Sequence, residues 1–307
     1  MTYLIIQFTG ADAVVARFSV HNKLLSFLQG VRRAVPEPGA FRELLSGFDL
    51  SDKGEKVILS IPPAMVHSRQ ISLPISDRRR LRELLPLELA GEMAVQTEEM
   101  IFDALPLGVD SQLAVWCRGS EIAPMIEELA AVGLEPEIVT CSLLHWNHLL
   151  PTGTDTPCAV TDGKAMMIGT TAGPMLARPL PVVQGEREFS RTITAFELSR
   201  DRTVSGILRI GGEERGENTL HPDPGLLDTF AGDNKAAMDL AGAYAAAKAC
   251  ASGTIVNFRS GSLAYTAGHA KNLRRLRLTA ILAAALVLLL FVEVGTSGGI
   301  WGLKKGY

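Results

Sequence analysis

Apolar positions recur every second residue in some stretches of the chain and every third to fourth in others, and the two periods alternate up to about Thr266. Such alternation predicts an α/β body, not a helical bundle or a β-sandwich. TYLIIQF and AVVARFSV predict a β-hairpin joined through Thr9 to Asp12. KVILSIPP and HSRQISLPI predict two further strands, each stopped by proline, which has no N–H for a ladder. In SDRRRLRELLPLELAGEMAV, Leu81, Leu84, Leu85, Leu89 and Met93 share one helix face, with Ser76 as the expected cap and Pro86 as an expected kink. QLAVWCR, EIAPMIEELAAVG and EPEIVTCS predict strand, helix and strand in the order of a split βαβ unit, the helix ending at Gly133.

LLPTGTDTP, from 149 to 157, concentrates proline, glycine and threonine and marks a lobe boundary. Beyond it CAVTDGKAMMIGTTAGPMLARPLP predicts a second hairpin with turns at Gly163 and Gly173. FSRTITAFELSR then predicts a helix, SGILRIGG a strand running into Gly211 and Gly212, KAAMDLAGAYAAAKA an alanine-rich helix and TIVNFRSG a closing strand. Two lobes, 1–150 and 151–267, each open with a hairpin.

From Leu278 to Val292 every residue except Thr279 is apolar, and continuing to Ile300 brings the stretch to the roughly 20 residues that cross a bilayer as a helix. Residues 278–300, with Leu278, Leu282, Leu286 and Leu289 along them, are therefore expected to form one transmembrane helix. A buried core helix of this length would normally show a polar face. Lys271, Arg274, Arg275 and Arg277 crowd the preceding segment 268–277, whereas only Lys304 and Lys305 follow. That bias predicts a cytoplasmic amino-terminal bulk and a short periplasmic tail, 301–307. Glu293 falls about 24 Å beyond Arg277 at 1.5 Å per residue, near the far interface. There it either reaches headgroup water or pairs with a polar group on a neighbouring helix.

Charge and chemistry narrow the function classes. The net charge of −3 supplies no global field for nucleic acid. Cys117, Cys141, Cys158 and Cys250 are scattered without a CxxC pair, so they are read as reduced thiols in a cytosol-like compartment. MTYLIIQFTG has neither the positive start nor the apolar run of a secretory signal. His145 and His148 lie three apart with no acidic or cysteine partner, the pattern of a helix-surface pair, and no metal site is expected. No serine, histidine and acid signature is present. Arg78, Arg79, Arg80 and Arg82 oppose the helix dipole at a helix start and are read as a solvated face. An acidic partner surface would offset them. Arg78, Arg79, Arg82, Glu88 and Glu92 of this helix region are taken as the candidate partner-facing residues.

The hairpin opening each lobe, the glycine pair, the alanine-rich helix and TIVNFRSG before a basic juxtamembrane segment resemble the actin-like assembly proteins of bacterial secretion and pilus machines. The stretch from LSIPPAM to FDALP, with Leu85, Pro86, Leu87 and Glu88 at its centre, is similar to the L subunit of type II secretion systems, GspL. The terminal span separates that subunit from its soluble pilus relative PilM. Over about residues 1–293 the resemblance implies an actin-like, ribonuclease H-like, two-lobed cytoplasmic domain with a split βαβ insert, followed by one transmembrane helix in the bacterial inner membrane. It further implies a scaffold that recruits the cytoplasmic secretion ATPase (the E subunit), with the M and F subunits as membrane neighbours and homodimerisation. Such subunits continue into a ferredoxin-like periplasmic domain, whereas this sequence stops at Tyr307, as a short form or one cut after the span.

An actin-type ATPase fixes magnesium through an acidic residue at the first hairpin, because a hard divalent cation needs carboxylate-positioned water. Gln7 stands where that acid is expected. Asp162 and Gly163 in the second hairpin, with Gly211 and Gly212, remain as vestigial nucleotide-binding elements, although Asp-Gly is also an ordinary hairpin turn. The expectation is binding without catalysis, with no catalytic residue and no cofactor. The alternatives are an actin-like or sugar-kinase-like ATPase and a soluble PilM-type pilus assembly protein.

Overall fold

The structure is a computed structural model that describes residues 1–10, 12–34, 45, 48, 54–75, 77–91, 97–107, 110–210 and 219–266. Met1–Leu263 form one compact unit. The expected span, with Leu278, Leu282, Leu286, Leu289 and Glu293, lies outside the described residues, as do Lys271, Arg274, Arg275, Arg277, Ser76, Glu92, Gly211 and Gly212. Among the described residues no helix is long and apolar enough to cross a membrane.

β1 (Thr2–Phe8) is an apolar run whose central residues are all buried, the pattern of a strand covered on both faces. It pairs antiparallel with β2 (Asp12–His21), which pairs antiparallel with β3 (Leu24–Ala34). β3 is a finding beyond the expected hairpin. Its turn, Asn22–Lys23, has positive φ at both residues, 49° and 65°, as a type I′ turn requires, yet it carries none of the glycine that usually signals one. β4 (Lys56–Ser60) runs parallel to β1.

The chain then leaves this sheet for an insert. β5 (Val66–Ser72), α1 (Arg78–Leu89), β6 (Met100–Pro106) and β7 (Ser111–Arg118) build a second, antiparallel sheet in the order β5-β7-β6. Leu81, Leu85 and Leu89 of α1 pack on Ile71, Phe102, Ala104 and Ala114. Asp77, not Ser76, caps α1: its Oδ1 accepts the N–H groups of Arg79 at 2.8 Å and Arg80 at 3.4 Å. Pro86 lies within the helix, which continues to Leu89.

α2 (Gly119–Ala131) then leads back to β8 (Ile138–Thr140), parallel to β4. The expected split βαβ unit is corrected here, because β7 and β8 belong to different sheets: β7 takes both neighbours from the insert, while β8 completes the order β3-β2-β1-β4-β8. A 3₁₀ segment, Ser142–Leu149, follows.

The second half of the unit repeats the first. β9 (Cys158–Thr161), β10 (Ala165–Thr170) and β11 (Gly173–Pro179) form an antiparallel meander, so the expected hairpin is three strands. α3 (Gly185–Arg200) covers this sheet with Phe189 and Phe196 against Ala159, Met166 and Ile168. β12 (Ile207–Arg209) then runs parallel to β9, giving the order β11-β10-β9-β12. Strand for strand this is the first sheet without its fifth member, which makes the two-hairpin echo a real structural repeat.

α4 (Pro224–Thr229) and α5 (Asn234–Asp239) precede α6 (Ala241–Ser252). The alanine-rich stretch is thus two helices, broken at Leu240, where φ and ψ are −110° and 10°. α6 lies against β1 and β2 of the first sheet and against the 3₁₀ segment. Its alanines are buried from Ala241 to Ala249, since only a side chain of one carbon lets a helix come that close to its neighbours.

TIVNFRSG, expected as a strand, is not one. The Asn257 carboxamide takes the Val139 N–H at 3.1 Å in place of a backbone carbonyl, and the Phe258 N–H donates to Val139 O at 2.7 Å. Asp103 on β6, fully buried, fixes this segment to α1. Its Oδ1 accepts from Arg78 Nε at 2.8 Å and Arg82 Nε at 2.9 Å, and its Oδ2 from the Asn257 N–H at 2.8 Å. Arg78 also donates to Ile255 O at 2.7 Å.

Burial raises the Asp103 pKa, but the hydrogen bonds of Arg82 and Arg78 and their charges outweigh it, so the carboxyl stays below its usual range. Its contribution is therefore present above the ordinary carboxyl pKa and is lost as pH falls through the depressed one. Asp103→Ala is expected to lower stability by about 3 kcal/mol in urea unfolding, the lower end for a broken buried pair because both arginines still reach water. An unchanged midpoint would refute the clamp.

Candidate functional site

The two repeated hairpins face one another across a cleft. At the first, Thr9 N–H donates to Asp12 O at 2.9 Å and Gly10 takes φ +99°. At the second, Asp162 Oδ1 accepts from the N–H groups of Lys164 and Ala165, both at 2.8 Å, so that oxygen is occupied by its own turn. Gly163 there has φ +81° and donates its N–H to Thr161 Oγ1 at 3.0 Å.

An ion-paired bridge closes the cleft. Lys164 Nζ reaches Asp12 Oδ2 at 3.4 Å, and Arg32 donates to the same oxygen from Nε at 3.2 Å and Nη2 at 2.9 Å. Partial burial raises the Asp12 pKa, but the Arg32 hydrogen bond and both cations hold it below the usual carboxylate range.

Behind the bridge lies a space of about 60 Å³ lined by Gln7, Thr9, Trp146, Asp162, Asp239 and Gly242, among others. A Cβ on Gly242 would lie 2.5 Å from Gln7 Nε2, so glycine is what lets α6 lie over this side chain. Gln7 is buried there, and the buried Trp146 Nε1 has no hydrogen-bond partner among the described residues. The space has room for only a few water molecules, well short of the roughly 300 Å³ at which ligand pockets begin.

A nucleoside triphosphate with a divalent cation does not fit the described residues of this cleft. Gln7 is neutral, the Asp12 carboxylate pairs with two cations, and the volume is too small. Among the described residues no group of three metal-capable side chains comes together.

A larger cavity, about 340 Å³, opens where α1, the 3₁₀ segment, β11 and the end of α6 meet. His145 and His148 line it, together with Asn147 and Thr254. His145 is corrected from a surface residue to a core one: it is 1% exposed and its Nε2 lies 2.9 Å from Thr140 Oγ1. Burial, helped by the His148 and Arg78 charges, drives its pKa down to about 3. Burial and Lys248 bring His148 to about 4. Both imidazoles are neutral at physiological pH, so the charge on these walls comes from Arg78. The HWNH spacing predicts an α-helical surface pair, whereas the 3₁₀ segment places both rings differently.

No protein-family model matches the chain, and no curated protein does. Solved structures do. A Bacteroides thetaiotaomicron protein described as having an actin-like ATPase fold and unknown function aligns at 14% identity and TM-score 0.45, over 69% of this chain and 83% of that one. The cytoplasmic domain of EpsL, an inner-membrane component of the type II secretion system of Vibrio cholerae, aligns at 13% identity and TM-score 0.58, over 86% of this chain and 100% of that one. A chain of the PilM–PilN type IV pilus biogenesis complex aligns at 14% identity and TM-score 0.62, over 82% of this chain and 98% of that one. The fold is actin-like.

Within this actin-like body the arginine run divides. Arg78 and Arg82 turn to Asp103, so the solvated-face expectation is corrected for these two. Arg79 remains solvent-exposed, loosely paired with Glu83 at 3.5 Å, and Glu88 is exposed. Leu84 and Leu87 stand on the open face of α1, Leu87 at 74% exposure. Nothing local in the sequence singled out Asp103, which lies in a β-strand 21 and 25 residues from its arginines.

Because the folded histidine pKa values lie below the unfolded value of about 6.5, the unfolded chain binds more protons between the two. Stability is therefore expected to fall as pH drops from about 6.5 towards 4, and His145→Asn should flatten that slope in denaturant titrations at several pH values. A slope equal to that of the parent protein would count against the buried neutral imidazole.

Proposed function

We propose that the chain is an inner-membrane scaffold subunit of a type II secretion machine, holding the cytoplasmic secretion ATPase against the membrane platform. The observation that carries this reading is the likeness of its folded body to the whole EpsL cytoplasmic domain. The bridged cleft supports binding in place of turnover: ATP hydrolysis needs a positioned metal and triphosphate, and Lys164, Asp12 and Arg32 stand across their place.

The anchor in this proposal is the apolar segment 278–300, entered from the basic side so that the amino-terminal bulk is cytoplasmic. One span attached to a large folded body raises the effective concentration of whatever that body binds at the membrane. The partners are the secretion ATPase, the M and F subunits and a second copy of the chain. Arg79 and Glu88, with exposed Leu84 and Leu87 between them, make the outer face of α1 the proposed contact.

Two other readings each have an observation behind them. Asp162 and Asp239 still border the cleft, as an actin-like ATPase would need. The PilM–PilN likeness, at TM-score 0.62, suits a soluble pilus assembly protein. In the scaffold reading, the protein co-purifies with a hexameric secretion ATPase and shows no magnesium-dependent ATP turnover above background. Sustained turnover abolished by Asp162→Ala would establish the enzyme instead.

Membrane extraction separates the scaffold from the pilus-type protein. The protein is expected to resist carbonate, and Leu286→Arg with Leu289→Arg to shift it to the soluble fraction, each charge costing about 2.5 to 3.5 kcal/mol at a helix centre. Carbonate release of the parent protein would remove the anchor.

A further inference from the structure

The insert sheet and the second sheet meet edge to edge, where Ser68 Oγ on β5 donates to Ala177 O on β11 at 2.9 Å. Along this seam opens a second cavity of about 340 Å³, remote from the hairpin cleft. Its floor is apolar, made by Leu107, Met175 and Phe196. Gln70 and Ser111 form its polar side, with Gln70 Nε2 donating to Ser111 Oγ at 2.6 Å.

Two cations stand at its mouth. Arg200, the last residue of α3, donates to Gln70 Oε1 and lies over the Phe196 ring at 6.0 Å. Arg202 is exposed and makes no hydrogen bond or ion pair with the described residues. None of the lining residues is acidic. Among the acids beside it, Glu197 Oε1 accepts from the Val204 N–H at 2.8 Å, and Asp201 is the exposed left-handed residue that ends α3.

An arginine at a helix carboxyl end offsets the helix dipole, and that alone accounts for Arg200. It does not account for Arg202, which lies beyond the cap, nor for the apolar hollow beneath the pair. An apolar floor rimmed by unspent positive charge is the arrangement that seats one large side chain and steers acidic flanks towards it.

We propose that this seam docks an acidic peptide segment presenting one large apolar side chain, the side chain on Phe196 and Met175 and its neighbouring carboxylates on Arg200 and Arg202. Such docking would tie the insert to the second sheet from outside. It goes beyond the proposed function and does not depend on it.

The test uses the full chain in detergent micelles and a fluorescent heptapeptide of one phenylalanine flanked by glutamates, read by anisotropy. Saturable binding is expected, weakened by added salt and weakened at least about tenfold by Arg202→Glu and less by Arg202→Gln. Replacing the peptide phenylalanine by glycine should abolish it. Three results would each overturn the proposal: no saturable binding, binding unaffected by Arg202→Glu, or displacement of the peptide by equimolar free glutamate, which would mark a small-carboxylate site. Circular dichroism of both variants checks that folding is intact, as expected for a residue exposed to solvent.

Discussion

A carboxylate removed from water on β6 ties the helix of the insert to the segment that follows α6. Asp103 is fully buried, and an isolated buried carboxylate costs several kcal/mol, so its position is tolerable only while Arg78, Arg82 and the Asn257 N–H all point at it. Those donors come from the helix of the insert and from the segment that returns after α6. The insert is thereby tied to the first sheet, because the same Asn257 reaches Val139 on β8 with its side chain. Loss of any one partner would leave the others with charge or hydrogen-bonding capacity unspent.

The same logic of spent charge runs through the hairpin cleft. In a fold whose geometry sets two turns face to face, a phosphate ligand is gripped when the groups at those turns are free to receive it. Here Asp162 completes its own turn, and Asp12 is shared by a lysine of the opposite hairpin and an arginine of the neighbouring strand. Gln7 adds a neutral amide beneath the Gly242 backbone. The surfaces used by the two proposals are the open face of α1 and the seam with its two arginines.

Apolar periodicity was a sound guide wherever burial decides the element. The first hairpin, the strand at 56–60, the helix over Leu81, Leu85 and Leu89 and the helix ending at Gly133 all stand where the pattern puts them. It failed where a side chain replaced a backbone partner or where a turn lacked its usual residue. Asn257 makes TIVNFRSG irregular, and Asn22–Lys23 turn without glycine, which hid β3. The alanine-rich stretch looked continuous because alanine favours helix everywhere, and the break at Leu240 leaves no local mark.

By itself the sequence determined the α/β class, the two-hairpin repeat, the neutral residue at position 7 and the apolar segment after a basic one, because each is a statement about neighbouring residues. The tertiary structure alone decided that β7 and β8 belong to different sheets and that two of the four arginines turn inward. It also decided that Lys164 meets Asp12, which lies 152 residues away in the chain. The physical reason is that burial leaves a periodic trace along the chain, whereas an ion pair leaves none: either charge could pair with many others until folding brings one within about 4 Å.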